Sequence, residues 1–469
     1  MIFGVNHTYR TTPHLKINFT FYIFPLTLVN MILLWYNYRR NITKKSLFPE
    51  RNFIIMRKIN VGVVGCGGIC RGTYMDNMMY KFEIINVVAV CDIIDSRAQY
   101  MVDKYGVKKM SFEEMLESDE IEIIVNLTYP ESHFEISSRA LKAGKHVYCE
   151  KMMAPTFEEA KELARLAEEN GVMFTTAPDT FLGSWEQSSR KYLDDGIIGK
   201  PISVHAQCTS HYEPSTPFFD LAPKYFFFPL HYGGGFPFDL GGYYIHQMIN
   251  LLGSIKRVTG FGGNINPVRK YTNPKHPKYG EEFIVNTPTT LMAALEFENG
   301  VVGTFHISSD SYETHAFQIT GSDGIFFLGD PNSFASDISI LRNGAAPDGE
   351  GIRAGQMPKS NVKIYGDDGT DNQKLGEPIP DAHVKLPILH GFSSSSRGVG
   401  LADMCYALVN GRRPRCHYDI GLHAIEVIHG IQESCQSGKI YEMTTRCDRP
   451  APIRPSALSE TGQEATLDD

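Results

Sequence analysis

The chain has 469 residues, enough for two or three domains with sizeable cores, and its 42% apolar and 21% charged residues match an ordinary globular protein. A formal net charge of −8 and the lack of any basic run argue against a nucleic-acid-binding surface. The nine cysteines are scattered, odd in number and without a C-x-x-C pair, so neither a disulfide framework nor a zinc site is indicated, and a reducing, cytoplasmic compartment fits.

Residues 1–55 stand apart. The segment 17–38 carries no charge and has the length of a membrane span, and Arg39, Arg40, Lys44 and Lys45 after it would leave the following domain on the cytoplasmic side. Met56-Arg57-Lys58 stands immediately before the first strand pattern. The segment therefore reads either as upstream sequence ahead of a start at Met56 or as an anchor, and only the second reading makes a membrane a partner.

Residues 59–64, short and rich in β-branched side chains, predict a buried strand. Gly65-Cys66-Gly67-Gly68-Ile69-Cys70 follows, close to G-x-G-x-x-G/A with cysteine in the last place. A helix-length segment (71–80) and a second apolar run (84–91) lead to Asp92. Each part has a job in dinucleotide binding. Gly65 permits the tight turn, Gly67 lets backbone N–H groups approach a pyrophosphate, and Asp92 can hold a ribose hydroxyl. Cys70 is small enough for close helix–strand packing. Asp92 favours NAD, because a 2′-phosphate would meet a like charge, while Arg97 nearby leaves NADP open.

The alternation continues with helices over 95–104 and 111–117, the latter capped by Ser111, and a strand over 121–127. A helix over 131–143 stops at Gly144, and 146–149 is the next strand. Thr156 and Glu159 have the capping-box spacing and open a helix with Ala160, Leu163, Ala164 and Ala167 on one face, before a last strand over 172–177. Repeated β-α units with near-continuous apolar strands predict a doubly wound parallel sheet, a Rossmann domain over 56–178.

Beyond 200 the pattern changes. Longer strands are predicted over 201–211, 287–297, 301–308 and 314–320, with Glu298-Asn299-Gly300 as a hairpin turn. Between the first two lie an aromatic, glycine-rich stretch (212–242) and a helix (243–252). The polar stretch 345–395 contains Asp367-Asp368-Gly369-Thr370-Asp371 but lacks the closing glutamate of an EF-hand, and reads as a solvated loop. Two late helices end at Asn410-Gly411 and before Gly438. The expected architecture is α/β: the Rossmann domain, then an α+β domain over 179–455 with a large, mainly antiparallel open sheet, then a frayed polar tail over 456–469.

Ligands of doubly wound sheets bind outside the C-terminal strand ends, which puts weight on Gly65–Cys70, Asp92, Thr128, Pro130, His133, Glu150, Lys151 and Asp179. A lysine directly after a buried strand, near a nicotinamide, is suited to proton transfer. Gly65-x-Gly67-Gly68 with Asp92, Asn126-Leu127-Thr128-x-Pro130-x-x-His133, Glu150-Lys151, and a glycine run ending in Asp239-Leu240-Gly241-Gly242-Tyr243 occur in that order. This set resembles the Gfo/Idh/MocA oxidoreductases, the family of glucose–fructose oxidoreductase and inositol dehydrogenase.

The resemblance implies that Lys151 acts in acid–base catalysis, that Asp239 orients the substrate, and that Tyr243 holds the position occupied by His or Tyr in the family. His246, one helical turn on, is a further candidate for the catalytic group. Two departures stand out. Met152 replaces the proline of E-K-P, and Pro178-Asp179-Thr180 replaces an arginine-containing segment, leaving Asp179 as either a sugar-hydroxyl acceptor or a helix N-cap. The function implied is NAD(P)-dependent hydride transfer at a secondary hydroxyl of a sugar, glycoside or cyclitol, in a homo-oligomer, dimer or tetramer. The alternatives are a non-catalytic dinucleotide-sensing regulator and a reductase of a non-sugar carbonyl or imine. No metal is expected, since His205, His211 and His231 lack ligand spacing.

Overall fold

The first six strand-forming segments are short and apolar on both faces, which suits a parallel sheet covered by helices on either side. In the computed structural model they are β1 (Ile59–Val64), β2 (Ile85–Cys91), β3 (Lys108–Lys109), β4 (Ile123–Asn126), β5 (His146–Cys149) and β6 (Phe174–Thr176). Every pair is parallel and the order is β3-β2-β1-β4-β5-β6, the doubly wound arrangement expected. The structure describes residues 57–211, 235–272, 274–275, 277–342, 384–455 and 464–468. The apolar segment 17–38, the aromatic run 212–234 and the acidic stretch 367–371 lie outside the described residues. Among the described residues no helix is long and apolar enough to cross a membrane.

The helices follow their caps. A π-helical turn (Cys70–Tyr74) continues as α1 (Met75–Tyr80), and α2 (Asp95–Tyr105) ends at Gly106 in the left-handed conformation. Ser111 and Thr156 each form a complete capping box, at the start of α3 (Phe112–Glu117) and α5 (Phe157–Glu169). Between them α4 (Pro130–Lys142) starts on its proline, where the missing N–H costs nothing.

After α6 (Ser184–Asp194) the chain enters a nine-stranded sheet. Its long strands are β7 (Pro201–His211), β8 (Ile255–Gly263), β11 (Thr290–Phe297), β12 (Val302–Ser308) and β13 (Asp310–Gly321), while β9 (Val268–Lys270) and β10 (Glu282–Ile284) form a separate hairpin. The sheet is antiparallel except where β7 runs parallel to β12. One face is covered by α8 (Gly241–Leu252) and α10 (Tyr418–Ser437), and α10 also packs on α5, which joins the two halves.

Two expectations need correction. The predicted loop over 345–395 contains a strand, β16 (Val384–Leu386), which extends the sheet beyond β14 (Gly324–Phe327) and β15 (Ile338–Arg342). Three residues are too few for a two-residue period to stand out. The tail is not frayed over 464–468. The Glu464 carboxylate accepts from the N–H groups of Glu83 and Ile84, and Leu467 is fully buried. The Leu467 carbonyl accepts from Arg412 at 2.7 Å and Arg415 at 2.6 Å, close to α9 (Val399–Asn410). A single leucine in a polar tail carries no periodic signal.

Deleting residues 464–469 should therefore lower stability by about 2–4 kcal/mol, from one buried leucine and the acceptors lost to two arginines. The midpoint of urea unfolding, compared with the full chain, measures it.

Candidate active site

The turn after β1 is built around a steric demand. Gly65 has φ +95°, and a Cβ there would lie 2.7 Å from the Leu127 carbonyl carbon and oxygen, so the end of β4 passes too close for any side chain. Cys66 N–H donates to Asp92 Oδ2 at 2.7 Å, and Ile94 N–H donates to Oδ1 at 2.8 Å. The acid closing β2 is thus fastened under the glycine turn, and each carboxylate oxygen keeps a further lone pair for a ribose hydroxyl. Gly67 and Gly68 have no heavy atom within 4 Å of where a Cβ would project. The amides at the start of the helix therefore face a cradle that a side chain would fill, which fits a pyrophosphate. Cys70 is fully buried, and its contact with Cys66 followed by burial pushes its thiol pKa well up, as befits a packing residue. Ile69 packs partly buried on the same core.

The strand ends β4 and β5 carry the next residues. Thr128 Oγ1 donates to Asn126 Oδ1 at 2.6 Å, and Pro130 opens α4. Glu150 is buried, accepting from Tyr74 O–H at 2.6 Å and from Lys151 N–H at 2.9 Å. The Lys151 ammonium donates to Asp239 Oδ1 at 2.5 Å and to the Asp239 carbonyl at 2.7 Å, with side chains 11% and 19% exposed. Asp239 ends α7 (Phe236–Asp239), and Tyr243 lies in the first turn of α8, its ring centroid 5.2 Å from the Lys151 Nζ. Three residues picked from sequence thus come together. Met152 is buried, its sulfur 3.0 Å from where a Gly242 Cβ would sit.

Other candidates take different places. His133 is fully buried, with Nδ1 donating to the Met152 carbonyl at 2.7 Å and Nε2 lying 3.1 Å from the Thr128 carbonyl. It clamps the loops after β4 and β5 from beneath and turns no free ring nitrogen toward a cofactor. Burial lowers its pKa, and the two carbonyls oppose that. His246 is buried too. Its Nδ1 bonds the Gly242 carbonyl at 2.7 Å, its ring stacks on Phe181, and burial drops its pKa to about 4. Its Nε2 is buried without a partner among the described residues.

Asp179 is fully buried as well. Its Oδ2 accepts from Tyr148 O–H and from the N–H groups of Gly398 (2.8 Å) and Gly400 (3.1 Å), so it caps α9, a distant helix, rather than the one following it in sequence. Burial raises its pKa.

Sequence reasoning missed Arg397. Its guanidinium lies 5.2 Å from the Tyr243 ring, as the Lys151 ammonium does, and its Nη2 donates to Asn332 Oδ1 at 2.7 Å. Its Nη1 is buried without a partner among the described residues. Burial works against its charge, but Tyr243, Glu150, Tyr74 and Asp179 outweigh it. The residue follows four serines in a polar stretch, where nothing in the pattern marks it as buried. Among the described residues no three His, Cys, Asp or Glu side chains are grouped to hold a metal ion.

Two family models match the chain. The Gfo/Idh/MocA oxidoreductase family, NAD-binding Rossmann fold, covers residues 59–177, and the Gfo/Idh/MocA C-terminal domain covers 187–327, together more than half of the chain. The chain belongs to the Gfo/Idh/MocA family. An inositol 2-dehydrogenase/D-chiro-inositol 3-dehydrogenase of Lactiplantibacillus plantarum is 30% identical over 167 residues, 34% of this chain and 45% of that protein. The scyllo-inositol 2-dehydrogenase (NAD(+)) of Bacillus subtilis is 25% identical over 58% of this chain and 74% of its own length. The match spans less than half of the inositol dehydrogenases from L. plantarum and Salmonella. A levoglucosan dehydrogenase solved with NADH and levoglucosan superposes with a TM-score of 0.62 at 18% identity, over 83% of this chain and all of that one, which shows the shared fold. The Rossmann half is the family's NAD-binding fold, and its glycine turn and Asp92 fit that cofactor.

Gly67→Val separates folding from binding. With open space around that Cβ the variant should melt within about 1 kcal/mol of the parent. Its NADH affinity, read by fluorescence titration, should fall at least about tenfold, because the side chain fills the phosphate cradle.

Proposed function

We propose that this chain is an NAD-dependent dehydrogenase that moves a hydride between the nicotinamide and a secondary hydroxyl of a sugar, glycoside or cyclitol. The observation that carries the reading is the Lys151–Asp239 pair, a largely buried ammonium and carboxylate 2.5 Å apart beyond the end of β5. Bound NAD would supply the hydride-accepting carbon. Lys151 Nζ, in its neutral form, takes the proton of the reacting hydroxyl, and in the reverse direction returns it. Asp239 holds a neighbouring hydroxyl and fixes the lysine through two acceptors, its carboxylate and its carbonyl. Tyr243 offers a phenol on the same side, its pKa raised by burial and pulled back by Arg397 and Lys151. His133 and Glu150 position the loop that carries Lys151, through Met152 O and Lys151 N–H.

Asp92 supports NAD over NADP, since a 2′-phosphate would approach a carboxylate already seated under the turn. Asp179 and His246 are positioning residues in this reading, not groups that touch substrate. A dinucleotide-sensing regulator on this fold would have no use for the Lys151–Asp239 pair. A homo-oligomer formed through the open face of the nine-stranded sheet is supported by Phe261 and Met292, which pair across β8 and β11 there, and by Val302 on the adjoining strand, all three exposed. Nine free cysteines, three of them around the dinucleotide turn, support a reducing, cytoplasmic compartment.

Purified protein with NAD should give a nicotinamide absorbance change on a panel of cyclitols, sugars and glycosides. Lys151→Ala should cut kcat by about 10²–10⁴-fold while the NADH dissociation constant stays within about twofold. Unchanged turnover in that variant would remove Lys151 from the chemistry.

The pH profile offers an independent check. Tyr243 is faced by Lys151, Glu150, Asp239 and Arg397, and the Arg397 cation favours the deprotonated form of the phenol. Arg397→Met should therefore move the rising limb of the oxidation rate to higher pH by about one unit, and Arg397→Lys should restore it.

A further inference from the structure

A cavity of about 210 Å³ lies between the sheet and α8, lined among others by Cys208, Leu240, Tyr244, His315, Asp330 and Asn332. Three links tie it to the site above. Leu240 and Tyr244 are the residues next to Asp239 and Tyr243 in the chain. Asn332 Oδ1 accepts from Arg397, whose guanidinium lies against Tyr243. The Cys208 thiol, pushed up to about 12 mainly by burial, is raised further by Asp330 and by Asp239, so the carboxylate that pairs with Lys151 lies within electrostatic reach of the cavity wall.

The wall is a hydroxyl-reading surface. Tyr244 O–H lies 3.0 Å from His315 Nδ1, and His315 Nε2 lies 3.5 Å from Glu313 Oε1. Asp330, one of the lining residues, accepts from Asn332 N–H through Oδ1 at 3.0 Å, while its Oδ2 lies 4.0 Å from His315 Nδ1. His315 is the sole basic side chain paired with Glu313 or Asp330 among the described residues. A phenol, an imidazole and two carboxylates can between them donate to and accept from several hydroxyls. Among the described residues neither lysine nor arginine lines the space. A substrate carboxylate entering it would meet two like charges, whereas hydroxyls would find acceptors.

We propose that this cavity is the subsite for the part of the substrate distal to the oxidised carbon, with Asp330, His315 and Glu313 as its specificity residues, and that it admits neutral polyhydroxylated rings and turns away sugar acids. The inference rests on the dehydrogenase reading given above. The volume, below the roughly 300–1,000 Å³ of a drug-sized site, has room for one ring rather than an oligosaccharide. Arg397 does not reverse the sign of the field. It is faced by Glu150 and Asp179, and it acts on the cavity through Asn332.

The test is steady-state kinetics of the full-length protein with myo-inositol, levoglucosan, D-glucose and D-glucuronate, alongside NADH titration. For the best neutral substrate, Asp330→Asn and His315→Ala should each lower kcat/KM about tenfold or more through KM, the loss of a hydrogen bond to a charged or shared partner. NADH affinity should not move. Asp330→Asn should also narrow the preference for D-glucose over D-glucuronate, since one of the two like charges is gone. Glu313→Gln, at an exposed side chain that bears no structural load, should narrow the same ratio and covers the case in which the other variants fold poorly.

Three outcomes overturn the proposal. One is an unchanged KM in all three variants beside an active parent. Another is a fall in NADH affinity and melting temperature that tracks the fall in kcat/KM. The last is a parent that prefers glucuronate. A parent that binds NADH and turns over none of the panel defeats the dehydrogenase reading itself, and the subsite with it, a result visible before any variant is made.

Discussion

The contact on which the site depends is the one between Lys151 and Asp239. It joins a loop of the parallel sheet to a short helix laid against the antiparallel one, through two side chains that are mostly out of water. Taking both charges out of water costs several kcal/mol each, and their attraction at 2.5 Å returns that only because geometry and further bonds are favourable. Lys151 has the Asp239 carbonyl as a second acceptor, so the ammonium is satisfied by one residue twice over. Such a pair is poor evidence for stability. It is good evidence that position matters, since breaking it would leave a buried charge unpaired.

What keeps the lysine in place is a set of neutral and charged groups below it. His133 holds the carbonyls of Thr128 and Met152, and so fixes the two strand-end loops relative to each other. Tyr74 reaches from the cofactor helix to Glu150, which in turn accepts the Lys151 amide. The C-terminal part of the chain closes the arrangement. Asn77 donates to the carbonyls of Ser395 and Arg397, and Lys81 to the hydroxyls of Ser394 and Ser396, while Asp179 accepts the first amides of α9. The segment that delivers Arg397 to Tyr243 is therefore anchored to the helix that begins at the dinucleotide turn. Cofactor half and substrate half share one scaffold.

The legible parts of this chain are those set by short-range rules. Capping boxes at Ser111 and Thr156, glycines after α2, α9 and α10, and the two-residue period of β7, β11 and β12 each follow from a few adjacent residues. The same holds for Gly65 and Asp92, whose roles come with a fixed spacing. Arg397 and the docked Leu467 were illegible because each meets its partners more than fifty residues away, and β16 because it becomes a strand only by pairing with β15 in space. His133 and His246 are a different case. A histidine beside a motif looks functional in sequence, but both His133 nitrogens face backbone carbonyls, and His246 bonds the Gly242 carbonyl through Nδ1 while its ring stacks on Phe181. Asp179 lay between the two cases, since a cap was foreseen but the helix it serves begins some 220 residues later, at Val399.

One consequence of the buried charges reaches the substrate. Arg397 is faced by Glu150, Asp179 and Glu186, the last fully buried with neither carboxylate oxygen partnered among the described residues. Burial pushes Glu186 well above the usual carboxylate range, with Asp330 adding to the rise and Arg397 opposing it, so burial disfavours its charge. Asp179 is pushed the same way by burial, though Arg397 and two amides pull against it. Glu150, also beside Arg397, accepts from the Tyr74 phenol and from the Lys151 amide. Arg397 thus has Glu150 beside it and Lys151 has Asp239, so each of these cations is already met by a carboxylate side chain. An enclosure of that kind gains most from a ligand that brings hydroxyls and no charge of its own, because every charged substituent would have to shed its water without a counter-charge to meet it.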